Sequence, residues 1–324
     1  MSATPSVLRS TVLCALLVVL PLMGTAQPAP PPVDSLGRAL VEGHPGGAVI
    51  GLLHPDTSTV HGFGAVDSTG ARPTARTLFE IGSITKAVTG LLLADAIERG
   101  SVDAATPVRA LLPDSVAWHV ADSVETPAPT MTLGHLATHH SGLPRLPSNL
   151  NAARRPTDPY AAYGDSALYA FLDGYTLPRA PGADYQYSNL GMGLLGHLLA
   201  RRADTTYAAL VRRRLARPLG LSDTRIHLTA EQQGRFAQGH NRAGAPTPPW
   251  HFEALAGAGA LHSTAADMLA LLRAHRHALS TVTDAPSPLQ MAIRRATTPR
   301  APAQNGSRIG YGWHQLTRDG HAIL

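Results

Sequence analysis

Ser83 and Lys86 stand three residues apart in Ile81-Gly82-Ser83-Ile84-Thr85-Lys86, and Lys86 is the one lysine among 27 basic residues. Arginine keeps its proton under ordinary conditions. A lysine in apolar surroundings or beside another cation can become a neutral amine. A serine hydroxyl one helical turn from such an amine therefore reads as a nucleophile with its proton acceptor. Serine is equally a good helix cap, so the pair by itself leaves a structural role open.

A second set lies in Tyr185-Gln186-Tyr187-Ser188-Asn189, just after the turn Pro181-Gly182. In an extended segment, residues two apart face the same way, so Tyr187 and Asn189 can point into one cleft. A phenol near a cationic lysine can become acidic enough to act as a base. An asparagine can hydrogen-bond both an amide substrate and the lysine. Tyr185 shares that face and reads as a packing aromatic.

These residues need elements to hold them. From Ser83 the chain runs through Val88, Leu91, Leu92, Leu93 and Ile97 without a proline until Pro107, and Glu98-Arg99-Gly100 closes it with a glycine suited to a left-handed cap. The pattern predicts a buried helix of about four to five turns opened by Ser83. Its amino end offers free N–H groups and a partial positive charge to a developing oxyanion. Residues 47–53 and 59–64 read as a strand pair around His54-Pro55-Asp56. Helices are predicted over 166–172, 190–202 and 207–215, with a capped start at Ser263-Thr264-Ala265-Ala266-Asp267 for a helix to about His277. Strand character returns over 309–316. Strands at both ends around a helical middle predict an α/β (α+β) chain, an antiparallel sheet flanked by helices with an inserted all-helical domain.

The first residues address compartment. Arg9 precedes an apolar run from Thr11 to Met23, and Gly24-Thr25-Ala26 supplies small residues for a signal peptidase. This reads as a signal peptide over 1–26 and predicts a periplasmic or secreted protein with no stable membrane anchor. The run is short for a membrane span, and a Pro-rich leader over 27–39 follows. Cys14, the single cysteine, falls inside the run, so the mature chain has no disulfide framework and must be held by its core. The net charge of +5 comes from scattered arginines. The dense run Arg212-Arg213-Arg214 reads as a solvated helix face, and no nucleic-acid partner is expected. His135 and His139 have zinc-pair spacing without the glutamate of a zinc helix, so no metal and no cofactor is expected. His275 and His277 read as helix-end residues.

Taken in order, Thr77-Leu78-Phe79-Glu80-Ile81-Gly82-Ser83-Ile84-Thr85-Lys86, Leu133-Gly134-His135-Leu136-Ala137-Thr138-His139-His140-Ser141-Gly142-Leu143-Pro144, Tyr187-Ser188-Asn189 and Pro218-Leu219-Gly220-Leu221 resemble the serine β-lactamase-related family. The similarity is to class C β-lactamases, esterases of that fold and D-alanyl-D-alanine peptidases, over about residues 40 to 324. Gly257-Ala258-Gly259-Ala260-Leu261 resembles the glycine-rich turn before that family's last large helix. The resemblance implies a β-lactamase/transpeptidase-like fold with an α/β domain over 40–106 plus 261–324 and a helical domain over 107–260. It also implies Ser83 as nucleophile, Lys86 as its proton partner, Tyr187 as deacylation base and Asn189 as substrate and lysine anchor. The expected function is an exported serine hydrolase forming an acyl-enzyme on a β-lactam, a D-amino-acid peptide or an ester. The alternatives are a non-turnover penicillin-binding module and a catalytically inactive relative.

One element of the resemblance has no counterpart. The family's third motif, Lys-Thr-Gly or His-x-Gly on a cleft strand, is not matched, and Ile309-Gly310-Tyr311-Gly312-Trp313-His314 resembles the strand that precedes it. The expectation is a C-terminally truncated chain whose α/β domain is incomplete. Reading the coding sequence past codon 324 for such a motif is the observation that tests it.

Overall fold

The computed structural model describes residues 32–121, 130–151 and 158–324. The signal peptide expected over 1–26 lies outside these residues. The chain enters through α1 (Val33–Val41), so the stretch read as a leader over 27–39 is helical from Val33 onward. Val33, Gly37, Leu40 and Val41 recur at helical spacing and turn inward, a pattern masked by the prolines before it. α1 packs on the hairpin of β1 (Gly47–Leu53) and β2 (Ser58–Gly64). Their antiparallel register runs from Gly47↔Gly64 to Leu53↔Ser58. The expected strand pair is thus present, with its second strand one residue longer.

β3 (Leu78–Glu80) leads through a 3-10 turn, Gly82–Ile84, into α2 (Thr85–Glu98). Val88, Leu91, Leu92 and Leu93 are all buried, as an apolar run without a polar face requires. Gly100 closes the helix at φ 66°. Next come β4 (His119–Val120), α3 (Leu133–Ala137), α4 (Asp165–Asp173), β5 (Thr176–Leu177), α5 (Asn189–Arg202), α6 (Tyr207–Val211) and α7 (Ala230–Gln233). They are followed by β6 (Gly239–His240) and β7 (Pro246–Thr247). The middle of the chain is therefore helical apart from two short pairings, β4 with β5 and β6 with β7. β8 (His262–Thr264) returns to pair antiparallel with β3. Thr264 then caps α8 (Ala265–Ser280) by accepting from the Asp267 N–H, and α9 (Pro288–Thr297) follows. α2 packs against both α9 and α5, at the centre of a single apolar core.

Several details depart from the expectations. The helix over 207–215 is α only to Val211 and widens into a π turn over Arg212–Ala216. Arg212 and Arg213 stay exposed, but Arg214 turns inward and donates to buried Asp95 at 2.8 Å. The run is a solvated face for two of its three arginines. α8 runs on to Ser280, which leaves His275 in its interior. There its Nδ1 meets the Leu271 carbonyl and its ring lies 4.3 Å from Trp313. Burial pulls its pKa down to about 4, so it is a neutral core residue and not a cation at a helix end.

The strand expected over 309–316 is broken in two. β9 (Ala301–Pro302), β10 (Arg308–Ile309), β11 (His314–Arg318) and β12 (His321–Ile323) form an antiparallel sheet in the order β12-β11-β10-β9. Between β10 and β11 the chain presses onto α2. Gly312 adopts φ 72°, and a Cβ there would overlap the Lys86 carbonyl. Its N–H donates to the Ala137 carbonyl at 3.0 Å, and the Trp313 indole donates to the Ala87 carbonyl at 3.2 Å. The turn of α2 that carries Lys86 is thereby held from outside.

Candidate active site

Ser83 lies in the 3-10 turn that precedes α2, not at the helix's first residue, and its one-turn spacing to Lys86 survives. Ile81 anchors that turn by donating its N–H to the Leu261 carbonyl at 3.0 Å. The serine is exposed, whereas Lys86 is 3% exposed. Lys86 Nζ donates to Ser83 Oγ at 3.1 Å and to the Ala258 carbonyl at 2.6 Å. Ala258 is held in place by its neighbours. Thr89 donates to the Gly257 carbonyl at 2.8 Å, and the Leu261 N–H donates to Thr85 Oγ at 3.2 Å. Thr85, Lys86 and Thr89 thus grip one loop from one face of α2. The Ala258 carbonyl is a partner of Lys86 that the sequence does not point to, because a backbone oxygen leaves no side-chain signal. The glycines on either side of it, Gly257 and Gly259, were the available hint.

Tyr187 completes the constellation from the opposite wall. Its hydroxyl donates to Ser83 Oγ at 2.7 Å. The segment that carries it is fastened along the loop after α3. The Gly182 N–H donates to the His140 carbonyl at 2.7 Å and the Gln186 N–H to the His139 carbonyl at 2.8 Å. The Ser188 N–H donates to His139 Nδ1 at 3.2 Å, and Ser188 Oγ donates to the Pro144 carbonyl at 2.6 Å. Ser188 also caps α5 by accepting from the Gly191 N–H.

His139 therefore touches the Tyr187 segment three times, by its carbonyl, its Nδ1 and its ring, which lies 4.7 Å from the Tyr187 ring. It is 2% exposed and holds φ 61°, a conformation uncommon for a residue with a side chain. Burial, and then the positive charges of Lys86, His314, His140 and Arg145, push its pKa down to about 3. It is neutral at working pH, with Nδ1 the acceptor and the proton on Nε2. We expect His139→Ala to lower kcat about 100-fold, the scale of an ångström-sized misplacement of a catalytic group. Because His139 does not titrate between pH 5 and 9, the shape of the pH-rate profile is expected to stay. Asparagine tolerates φ above zero and can accept the Ser188 N–H, so His139→Asn should recover much of the loss. A kcat for His139→Ala within a few-fold of wild type would make the residue a purely structural one.

Asn189 opens α5, and its Nδ2 donates to the hydroxyl of buried Tyr160 at 3.2 Å. Its buried Oδ1 has no hydrogen-bond partner among the described residues. Tyr160 stacks on Phe252 at 4.4 Å and lies 5.5 Å from Trp250, forming an aromatic wall. Two cations face the Tyr187 ring, Lys86 at 4.9 Å and Arg145 at 5.0 Å. Arg145 was not singled out by sequence, although it follows directly on Leu143-Pro144. Tyr185 packs edge-on against His139 and His140 at 5.7 and 5.8 Å, and its hydroxyl meets His314 Nε2 at 3.1 Å. Burial raises its pKa to about 12, which keeps it protonated. The two histidines with zinc-pair spacing are engaged elsewhere: His135 Nδ1 accepts the Thr132 N–H, and His139 Nδ1 accepts that of Ser188. Among the described residues no group of three or more His, Cys, Asp or Glu is placed to hold a metal ion.

The arrangement offers an exposed hydroxyl with one amine and one phenol on its oxygen, next to a helix amino end. A family model described as Beta-lactamase matches residues 33–322. Over 198 residues the chain is 31% identical to the D-alanyl-D-alanine-carboxypeptidase/endopeptidase AmpH of Escherichia coli K12, a match covering 61% of this chain and 49% of that protein. Over 197 residues it is 28% identical to a beta-lactamase of the same organism, covering 60% and 47% respectively. The chain thus spans about half the length of the curated relatives it matches. Among solved structures, a class C beta lactamase from Rhodobacter sphaeroides superposes with a TM-score of 0.71 at 28% identity, over 88% of this chain and 75% of that one. The D-alanine carboxypeptidase AmpC from Burkholderia cenocepacia does so with a TM-score of 0.68 at 27% identity, over 88% and 73%.

Proposed function

The chain belongs to the beta-lactamase family and has its fold, and from that premise we propose that it is an exported serine hydrolase working through an acyl-enzyme on Ser83. Its substrates are β-lactams or peptides ending in a D-amino acid, with simple esters as the less favoured class. The observation that carries this reading is the convergence of Lys86 and Tyr187 on the exposed Ser83 oxygen, at 3.1 and 2.7 Å. Export rests on the apolar run behind Arg9.

In the first half-reaction Lys86 acts as the neutral amine: Ser83 Oγ bonds to the substrate carbonyl carbon, its proton passing to Lys86 and on to the departing nitrogen or oxygen as that bond breaks. The Ala258 carbonyl keeps the amine aimed at the serine throughout. The oxyanion forms beside the amino end of the Gly82–Glu98 helical run, where the helix dipole favours negative charge. In the second half-reaction Tyr187, as the phenolate formed when its proton passes to the Lys86 amine, takes a proton from water, the hydroxide adds to the acyl carbon, and the Ser83 ester breaks with that proton returned to Oγ. While Tyr187 carries negative charge, Lys86 and Arg145 flank it.

A labelled acyl probe followed by intact-mass spectrometry separates the readings. The hydrolase turns the probe over, a penicillin-binding module keeps a stable adduct, and an inactive relative shows none. In the hydrolase, Tyr187→Phe is expected to acylate and then hold the adduct, with deacylation slowed by about two to four decades. Deacylation at the wild-type rate in that variant would remove Tyr187 from the second step.

A further inference from the structure

Where α8 ends and α9 begins, the surface sets apolar side chains in solvent beside a cluster of arginines. Val282 is 98% exposed, Leu279 46% and Met291 41%, three of the six large hydrophobic side chains exposed among the described residues. They are grouped in one short stretch of chain, whereas surface apolar residues are ordinarily scattered singly. Arg294 joins them to the arginines. Its Nε donates to the Ala278 carbonyl at 2.7 Å and one Nη to the Thr281 carbonyl at 2.5 Å, which ties to α9 the root of the loop that carries Val282. Beside Met291 and Pro286 opens a cleft of about 350 Å³, lined by Arg294, Arg295, Thr298, Arg300 and Glu98. Met291, Arg294, Arg295 and Thr298 follow one another at helical spacing and so share the outer face of α9. Arg295 pairs with Glu98, and Arg300 lies over the Tyr311 ring at 4.2 Å and donates to the Arg295 carbonyl at 3.1 Å. Three guanidiniums meet one carboxylate there, so the cleft keeps a positive charge. The loop over 281–287 adds a single acid, Asp284. Glu98 is at the opposite end of α2 from Ser83, about 20 Å away at the rise of a helix, so this face lies outside the active site.

Apolar groups held in water next to an excess of guanidiniums match a bilayer with anionic headgroups, which takes valine and leucine into its acyl boundary and offers phosphates to arginine. A small soluble anion would fill the cleft and leave Val282 and Leu279 in water. We propose that this face docks reversibly on an anionic phospholipid bilayer, with Val282, Leu279 and Met291 entering the headgroup boundary and Arg294, Arg295 and Arg300 on the lipid phosphates. The contact is peripheral: among the described residues no helix is long and apolar enough to cross a membrane. A hold built from three side chains and three surface cations is weak and sensitive to salt. Docking here is independent of the chemistry at Ser83.

Co-sedimentation of the full chain with vesicles of phosphatidylcholine, with and without phosphatidylglycerol, reads the docking directly. The anionic vesicles are expected to bind about 25- to 100-fold more tightly, at about 5-fold for each of two to three arginines, and raised salt should remove most of that difference. Val282→Ser should weaken binding to the anionic vesicles by about 10-fold, the worth of one buried valine, and Arg300→Gln by about 5-fold. Both side chains are exposed, so melting temperatures close to wild type are expected. Binding that survives both substitutions undiminished, as insertion of the apolar run from Thr11 to Met23 would give, overturns the proposal. Equal binding to neutral and anionic vesicles overturns it too, as does sedimentation with neither, which would leave the face to a soluble acidic partner. Inorganic phosphate at matched ionic strength should not release the protein from the vesicles. Release would make the cleft a site for the free anion and overturn docking on the bilayer.

Discussion

Ser83→Ala is expected to remove turnover almost completely, by about 10⁶-fold in kcat, the cost of losing the nucleophile from a serine hydrolase. Treated with a serine-reactive phosphonate or a penicillin, the wild-type protein should gain one adduct, mapping to the peptide that contains Ser83. The alanine variant should gain none. Folding is not at stake in this comparison, because Ser83 is exposed and Lys86 keeps its bond to the Ala258 carbonyl without it. A melting temperature close to wild type is the accompanying expectation. An adduct on another residue, or one that survives the substitution, would sink the assignment.

Lys86→Arg makes the positive charge permanent and is expected to lose about two to four decades of acylation rate, the usual worth of a positioned proton acceptor. A guanidinium cannot take the serine proton. It is also too large for the space, since Lys86 is 3% exposed and the backbone at Gly312 closes over its turn of α2. Some stability loss is therefore expected along with the rate. Stopped-flow acylation with a chromogenic β-lactam, on protein whose circular dichroism matches wild type, measures the first effect separately from the second. Acylation within a few-fold of wild type in a folded variant would reduce Lys86 to an electrostatic partner of Ser83.

The legible part of the site was the part written in local spacing. Ser83 and Lys86 are one turn apart, so the 3-10 start of the helix, in place of a regular α start, did not separate them. Two-residue spacing before an apolar helix reads Tyr187 and Asn189 as one cleft wall; in the structure Tyr187 reaches Ser83, while Asn189 Nδ2 donates to Tyr160. The hairpin of β1 and β2 was legible for the same reason, since alternation and a turn signal lie within one stretch of chain. Where a residue's role depends on a distant partner, local reading failed. Local sequence reads His275 as a helix-end cation, because its contact with Trp313 comes from 38 positions further along. Arg214 looked like its exposed neighbours until a π turn and the buried Asp95 of α2 drew it inward.

The sequence by itself determined the reactive types and their first partners: a lone lysine one turn from a serine, a tyrosine and an asparagine at a helix entrance, and an α/β chain with a helical middle. These follow from side-chain chemistry and from the periods of helix and strand, which act over a few residues. The tertiary structure alone decided that Tyr187 meets Ser83 across 104 positions, and that the carbonyl of Ala258, 172 positions from Lys86, holds the amine. It likewise decided that His139 carries the tyrosine segment and that Arg145 faces the Tyr187 ring beside it. Such contacts arise when packing of α2 against α5 and the Gly257–Leu261 loop closes the core. Hydrophobic burial, which is non-directional, says that these surfaces must meet but not which polar atoms they bring together.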